Sequence, residues 1–361
     1  MAEREVLDLD VLFVGAGPAS LAGAIHLKRL LSESGTEASV AVLEKASEIG
    51  AHSLSGAIVD PRALRELFPD YPDTDLPFEA EVSEEHLYYL TENKKIPFPF
   101  VPPSMSHHHC FVTSLGKLTR WLGNKCENEG VDIFCGFAGT ELMYEGEQVV
   151  GVRTGDRGID KNGEKKPQFE PGADIRAKVV ILGEGTRGSL TKNLIDRHEL
   201  MQGCNPQVWA VGVKELWQMP SGTVPPGYVA HTMGYPLGQA IFGGAFLYGM
   251  QNDVWDLGLV VGLDYQNPGV DSHHELQRLK NHPWIRSLLS SGKMIAYGAK
   301  SLPEGGWYSI PKLSVGGAML IGDSAGFMNG QRLKGIHLAM KSGMLAAETT
   351  AEALATGKFS E

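Results

Sequence analysis

The sequence predicts an α/β protein: a Rossmann-like nucleotide-binding domain interrupted by an inserted β-rich (α+β) domain. Three observations carry this expectation. Residues 8–14, DLDVLFV, read as a buried strand that runs into the glycine turn GAGPAS, a helical stretch stopping at Gly35, and a second strand ending at Glu44; that order is a βαβ unit. A strand, a glycine turn and a long helix return near the far end, as GAMLIGDSAGF and GIHLAMKSGMLAAETTAEALATG. Between them, residues 205–266 alternate in strand-like runs broken by turns, the pattern of a mostly antiparallel sheet.

The remaining elements follow in order. DPRALRELF reads as a short amphipathic helix with Pro61 at its start. Its Leu64, Leu67 and Phe68 share one face, with Arg62, Arg65 and Glu66 mostly elsewhere. Residues 86–105 alternate and then turn proline-rich, which suggests an edge strand feeding an extended loop. A helix is expected from 115 to 129, closed by Gly130, and then the strand VDIFCG. Residues 139–182 read as three strands, with KNGEKKPQ as a polar turn between the last two, and 272–291 as helix with a pause at His282-Pro283. The expected divisions are 1–80, 115–200 and 301–361 for the nucleotide-binding domain, and 81–114 and 201–300 for the β-rich domain.

Composition narrows the function. A formal charge of −11 argues against nucleic acid as the partner. The 44 glycines in 361 residues exceed the usual share of about 7% and gather at turn motifs. Cys110, Cys126, Cys135 and Cys204 form no CxxC pair and read as scattered reduced thiols, so no metal site is expected. The start, MAEREVLDLD, is acidic and reads as no signal peptide, and no run of 18 apolar residues suggests a simple membrane-spanning helix. His107-His108-His109 reads as a surface run, because adjacent strand residues point alternately and seldom converge on one ion.

Gly15, Gly17 and Ser20 occupy the three small positions of the dinucleotide fingerprint. The first permits the tight turn, the second admits a diphosphate close to the backbone, and the third lets helix and strand approach. The helix starting near Pro18 points unpaired N–H groups at that diphosphate, and Glu44 is placed for ribose hydroxyls. The alternative is a glycine turn that serves packing alone. In Gly322-Asp323-Ser324-Ala325-Gly326, the aspartate is suited to the ribityl hydroxyls of a flavin, which favours FAD over NAD. With one such motif at each end, and Gly183-Glu184-Gly185 between, the chain resembles the flavoproteins typified by the aromatic hydroxylases and glutathione reductase.

Longer stretches resemble a narrower family. EKASEIGAHSLSGAIVDPRALRELFPD, FGGAFLY, LGLVVGLDYQNP, IAYGAKSLPEGGWYSIPKL and LKGIHLAMKSGMLAAE are similar to the electron transfer flavoprotein–ubiquinone oxidoreductases, from about residue 8 to about 356. The resemblance implies FAD-dependent electron transfer from reduced electron transfer flavoprotein to ubiquinone. It implies a peripheral place on the cytoplasmic face of a bacterial inner membrane, or on the mitochondrial inner membrane of a eukaryote. It adds Lys45, Gly56, Asn329 and Gly335 to the cofactor set, assigns Gly243 and Gly244 to the quinone, and places residues 50–71 at the membrane surface; PFPFVPP at 97–103 is a second expected contact. The family's [4Fe–4S] cluster is held by four cysteines in a C-terminal domain, and none of the four cysteines here has that spacing. No cluster is expected in this chain, which is then a piece of a longer protein or a cluster-free homologue. Two departures stand beside the expected flavin ring: Gly330-Gln331-Arg332, and Ile336 and Leu338 around the histidine. No catalytic residue or proton donor is named by the sequence. The alternatives are an FAD-dependent monooxygenase or prenyl-chain reductase on the same frame, and an FAD- and quinone-binding fragment without full activity.

Overall fold

The computed structural model describes residues 4–53 and 56–360. Its first sheet has eight strands and is parallel at its centre. The strand Val6–Val14 lies between Val40–Glu44 and Asp174–Leu182, parallel to both. Asp132–Cys135 continues the sheet on one side and Ala318–Leu320 on the other, again in parallel. The antiparallel additions are Ser314–Val315 and the hairpin of Gly139–Glu145 with Gln148–Thr154. Val11 to Val14 are buried, as a strand covered on both faces must be.

Three helices cover one face: Pro18–Ser34, Leu115–Asn128 and Ile336–Thr356. The first starts with Pro18 in its first turn and stops at Gly35, whose left-handed conformation (φ 67°) lets the chain turn away. The first and last helices meet at two glycines. A Cβ on Gly23 would stand 2.7 Å from the Gly343 carbonyl oxygen, so both ends of the chain close one core only because these side chains are missing. The helix Ser189–Arg197 and the Gly139–Thr154 hairpin cover the other face.

The second sheet has seven strands in the order Lys293–Pro303, Trp209–Gln218, Val254–Gly262, Gly243–Met250, Tyr228–Gly234, Glu84–Leu90 and Lys95–Pro97. Its pairings are antiparallel except for Tyr228–Gly234 with Glu84–Leu90, which is parallel. Those two strands come from pieces of chain far apart in sequence, and no hairpin fixes their direction. The helices Ser272–Asn281 and Pro283–Leu289 pack on one face. Buried Glu215 accepts hydrogen bonds from Lys280 at 2.8 and 2.9 Å, tying the first of these helices to the sheet. The break between the helices falls at His282, whose ring accepts the Trp284 N–H at 3.3 Å, with Pro283 in the next first turn.

The structure differs from the sequence reading at three places. The expected polar turn at 161–168 is part of a separate hairpin, Arg157–Ile159 with Lys165–Glu170. Asp160 accepts the N–H groups of Asn162 and Glu164 at 2.8 and 2.9 Å and forms its bend. The hairpin is mostly exposed and carries no apolar alternation to reveal it. The apolar face of the helix Arg62–Leu67 is not offered to a membrane: Leu64, Leu67 and Phe68 are 0%, 2% and 2% exposed within the core. Phe68 meets the edge of Trp121, and the Arg29 guanidinium lies over its ring. The third difference is His107, which is buried rather than on the surface.

Candidate functional site

The connections leaving the two central strands of the first sheet run in opposite directions. From Val6–Val14 the chain crosses to Val40–Glu44; from Asp174–Leu182 it goes to Ala318–Leu320 on the other side. A crevice opens at the carboxyl ends of strands at such a switch point, and ligands of open α/β sheets bind there. Gly15 and Gly183 follow these two strands directly. They touch: a Cβ on Gly15 (φ 94°) would lie 2.6 Å from the Gly183 carbonyl oxygen, and one on Gly183 would collide with the Ser20 hydroxyl.

Gly17 differs from both. It caps the helix Pro18–Ser34 with φ −85°, and nothing lies within 4 Å of where its Cβ would stand. That empty space faces a helix start with no acidic side chain in its first turn and no side-chain cap. An uncapped helix start with open space beside it is suited to an anion, through its N–H groups and the helix dipole. Ser20 Oγ is fully buried without a hydrogen-bond partner among the described residues. These features fit the diphosphate of a dinucleotide. Glu44 stands at the end of its strand, but its carboxylate accepts the N–H groups of Ala16 and Ala46 at 2.8 and 2.7 Å, so it also holds the turn in shape. Lys45 is exposed beside it.

The C-terminal motif joins the same crevice. Ile321 donates its N–H to the Leu182 carbonyl, the Ser324 hydroxyl donates to the Gly185 carbonyl at 3.3 Å, and Gly322 (φ 57°) packs against Ala19. Burial pushes the Asp323 carboxyl up to about 6, against the opposing pull of Lys300. Lys300 comes from the edge strand of the second sheet and reaches to Gly185. Thus Gly15, Gly17, Ser20, Glu44, Gly183, Gly185, Gly322 and Asp323 are brought together from four segments of chain. Gly326 follows, packed against the Gln207 amide. Asn329 and Lys334 then exchange backbone hydrogen bonds at 2.9 and 3.2 Å, closing a loop that leads through Gly335 into the last helix.

Other expected residues lie on the second sheet or against it. A Cβ at Gly243 would run into the Val260 carbonyl, and one at Gly244 into the Thr232 carbonyl. The sheet therefore requires both glycines whatever binds beside them. Gly56 (φ 89°) lies against Asp256, a carboxyl with no exposed surface and no hydrogen-bond partner among the described residues, and its own carbonyl accepts from Lys214. Burial raises Asp256 to about 7, while Lys214 pulls the other way.

Sequence reasoning missed Asp256, Lys300 and two further groups. Glu304, beside Gly330, is pushed up to about 7 by burial and has both oxygens unpartnered among the described residues. Glu85, His107 and His231 form a buried cluster with donor atoms within 4.8 Å of one another. They come from three separate segments, so no spacing announces them. The four cysteines are unbridged, and Cys126, in the helix Leu115–Asn128, donates its thiol to the Leu21 carbonyl. Among the described residues no helix is long and apolar enough to cross a membrane.

This architecture, a parallel sheet with its crevice at the glycine turns and a large second sheet inserted, is the fold of the FAD-type flavoprotein oxidoreductases and halogenases. A geranylgeranyl bacteriochlorophyll reductase-like protein from Thermoplasma acidophilum superposes with a TM-score of 0.74 at 20% identity, covering 98% of this chain and 81% of that one. The flavin-dependent brominase Bmp2 does so with a TM-score of 0.67 at 16% identity, over 96% and 80%. At these identities the likeness is one of fold.

Along nearly its whole length the chain is similar to electron transfer flavoprotein–ubiquinone oxidoreductases. Residues 209–302 match the family model described as "ETF-QO, ubiquinone-binding". The mitochondrial electron transfer flavoprotein-ubiquinone oxidoreductase of Oryza sativa subsp. japonica is 44% identical over 99% of this chain, and that of Homo sapiens 46% identical over 96%. The chain spans 62% and 57% of those two relatives.

Proposed function

We propose that this chain forms the flavin- and quinone-binding part of an electron transfer flavoprotein–ubiquinone oxidoreductase, which takes electrons from reduced electron transfer flavoprotein and passes them to ubiquinone. The observation that carries this reading is the identity of 44% and 46% to named oxidoreductases of that activity, running through both sheets. In this reading the cradle at Gly15 and Gly17 holds the diphosphate of FAD, Glu44 and Asp323 hold its ribose and ribityl hydroxyls, and the Gly326–Gly335 segment lies along its ring. The bound flavin supplies reversible storage of electrons. The protein's own part is to fix the ring between two sheets, exclude water and adjust charge beside it. Arg332 in the 329–334 loop adds a cation there, and Lys300 adds one beside Asp323. The strand Gly243–Met250, inside the region matching the ubiquinone-binding model, is the proposed quinone face.

Contact with a membrane surface is assigned to the loop near 97–103 rather than to the helix at 62–67. Ile96, Phe98 and Phe100 are 46%, 40% and 68% exposed, and exposed apolar side chains in a group mark an interaction surface. The similarity to mitochondrial oxidoreductases supports a peripheral position on an inner membrane, bacterial or mitochondrial. The test is a visible spectrum of the purified chain, followed by anaerobic reduction with reduced electron transfer flavoprotein. Bound flavin that is reduced by this partner and reoxidised by a ubiquinone analogue supports the reading. A colourless protein that takes up no FAD contradicts it.

A further inference from the structure

Quinone reduction consumes protons as well as electrons, and the buried histidine cluster lies between the two segments assigned to flavin and quinone. Glu85 sits on a strand of the second sheet, with its side chain 9% exposed. Its carboxylate holds His107 at two points: Oε2 accepts the His107 backbone N–H at 3.0 Å, and Oε1 contacts Nδ1. An ionised carboxylate only accepts, so Nδ1 carries the proton and Nε2 of the neutral ring is left with its lone pair. That Nε2 is buried and makes no well-formed hydrogen bond among the described residues, with the Arg332 backbone beside the ring favouring its proton. The His107 ring stacks on His231 at 5.2 Å, and His231 Nε2 shares a hydrogen bond of 3.0 Å with the Tyr248 hydroxyl.

The surroundings join this cluster to both proposed sites. Arg332 donates to the Ser106 carbonyl at 3.3 Å, which pins the 329–334 loop against the segment bearing His107. Lys334, 4% exposed, faces both histidines from the same loop. On the sheet, His231 stands directly across from Phe246. Paired residues share a face of a sheet, and so do alternate residues along a strand. His231, Gly244, Phe246 and Tyr248 therefore face the same way, with His231 about 7 Å along the strand direction from Gly244. The two rings are inclined at 29° to each other.

We propose that His107 is the proton-carrying residue of this site, with Glu85 as its positioning residue and His231 and Tyr248 as the polar wall behind it. The inference rests on the quinone reductase reading above. In the step assigned here, quinone gains two electrons from the reduced flavin and two protons. One proton leaves Nε2 of the His107 imidazolium for a quinone oxygen, forming an O–H bond. The ring returns to its neutral Nδ1–H form and is reprotonated from water, which also supplies the other proton.

The charges around the ring suit such a role. Burial holds His107 below the ordinary histidine value and Lys334 reinforces this, while Glu85 and the Arg332 backbone favour the proton. Burial alone would raise Glu85, yet the hydrogen bonds from His107 keep it below the ordinary carboxylate range. Cys110 and Tyr248 are both held up by burial and stay neutral.

The experiment compares two acceptors with the reduced holoprotein: a water-soluble ubiquinone analogue, which needs protons, and ferricyanide, which takes electrons alone. His107→Gln is expected to slow quinol formation roughly 100-fold, within the usual worth of a positioned acid. Ferricyanide reduction should change less than about twofold on the same scale. Equal slowing with both acceptors, or none with quinone, overturns the proposal. A second measurement needs neither variant nor turnover: nitrogen-15 NMR of the histidines in the wild-type protein. His107 is expected to take up its proton below the ordinary histidine value, because burial opposes the charged ring, within the acid range in which the protein stays folded. A ring that stays neutral throughout overturns the proposal. A wild-type protein that reduces no quinone removes the functional reading instead, and the NMR titration still judges the proton site.

Discussion

Replacing Gly17 with alanine separates the two reasons a glycine can stand in the first turn. At φ −85° an alanine is unstrained, and its Cβ would meet nothing within 4 Å. Alanine is a poorer helix cap than glycine by about 0.5–1 kcal/mol. The smaller freedom of the unfolded chain returns about 0.4–1 kcal/mol. Stability should therefore change by less than about 1 kcal/mol. The ligand should notice far more, because the methyl group fills the space over the helix N-terminus. Losing one charge-assisted hydrogen bond to the diphosphate costs about 1.5–3 kcal/mol, or roughly 10- to 150-fold in Kd. The assay is FAD titration by flavin fluorescence, alongside urea unfolding of the apoprotein. Gly15→Ala is the control, since its Cβ would stand 2.6 Å from the Gly183 carbonyl oxygen in a left-handed conformation. It should lose stability by at least about 1–3 kcal/mol from backbone strain alone. A Gly17→Ala protein of normal stability that binds FAD as tightly as the wild type refutes the cradle.

Three further predictions follow from particular contacts. Asp256 is raised from 3.8 to about 7 by burial, so between those values the folded protein holds a proton that the unfolded chain has released. Stability therefore falls as pH rises through this window, and Asp256→Asn should flatten the trend and raise the unfolding free energy at pH 8 by on the order of a few kcal/mol, read as a higher urea midpoint. Gly244→Ala should unfold more easily even without quinone, because its Cβ collides with the Thr232 carbonyl; an unchanged thermal midpoint in the apoprotein would refute this. Changing Phe98 and Phe100 together to serine should weaken binding to phospholipid vesicles in a flotation assay without lowering stability, whereas Arg65→Ser should leave vesicle binding unaltered.

The nucleotide frame was legible in the sequence because its signals are local. Gly15, Gly17 and Glu44 fall within one βαβ unit, and the Gly35 stop and the Gly322 turn also follow from neighbouring residues. What escaped was set by distant packing. Leu64, Leu67 and Phe68 show the same periodicity whether they face lipid or the helix Leu115–Asn128, and only the fold shows that the core takes them. His107 looked like one of three exposed histidines because nothing nearby signals Glu85 and His231, which arrive on other strands. Gly243 and Gly244 were read as a ligand contact, and the structure adds a requirement of the sheet itself. The parallel pairing of Glu84–Leu90 with Tyr228–Gly234 was equally hidden, since no turn joins those strands.

We propose that this chain carries electrons through a bound flavin to a quinone. This is tested most directly by anaerobic stopped-flow mixing of the flavin-reduced protein with a ubiquinone analogue, following flavin and quinol absorbance together. The account predicts reoxidation of the flavin with one quinol formed per flavin. Flavin that stays reduced in the presence of excess quinone would contradict it.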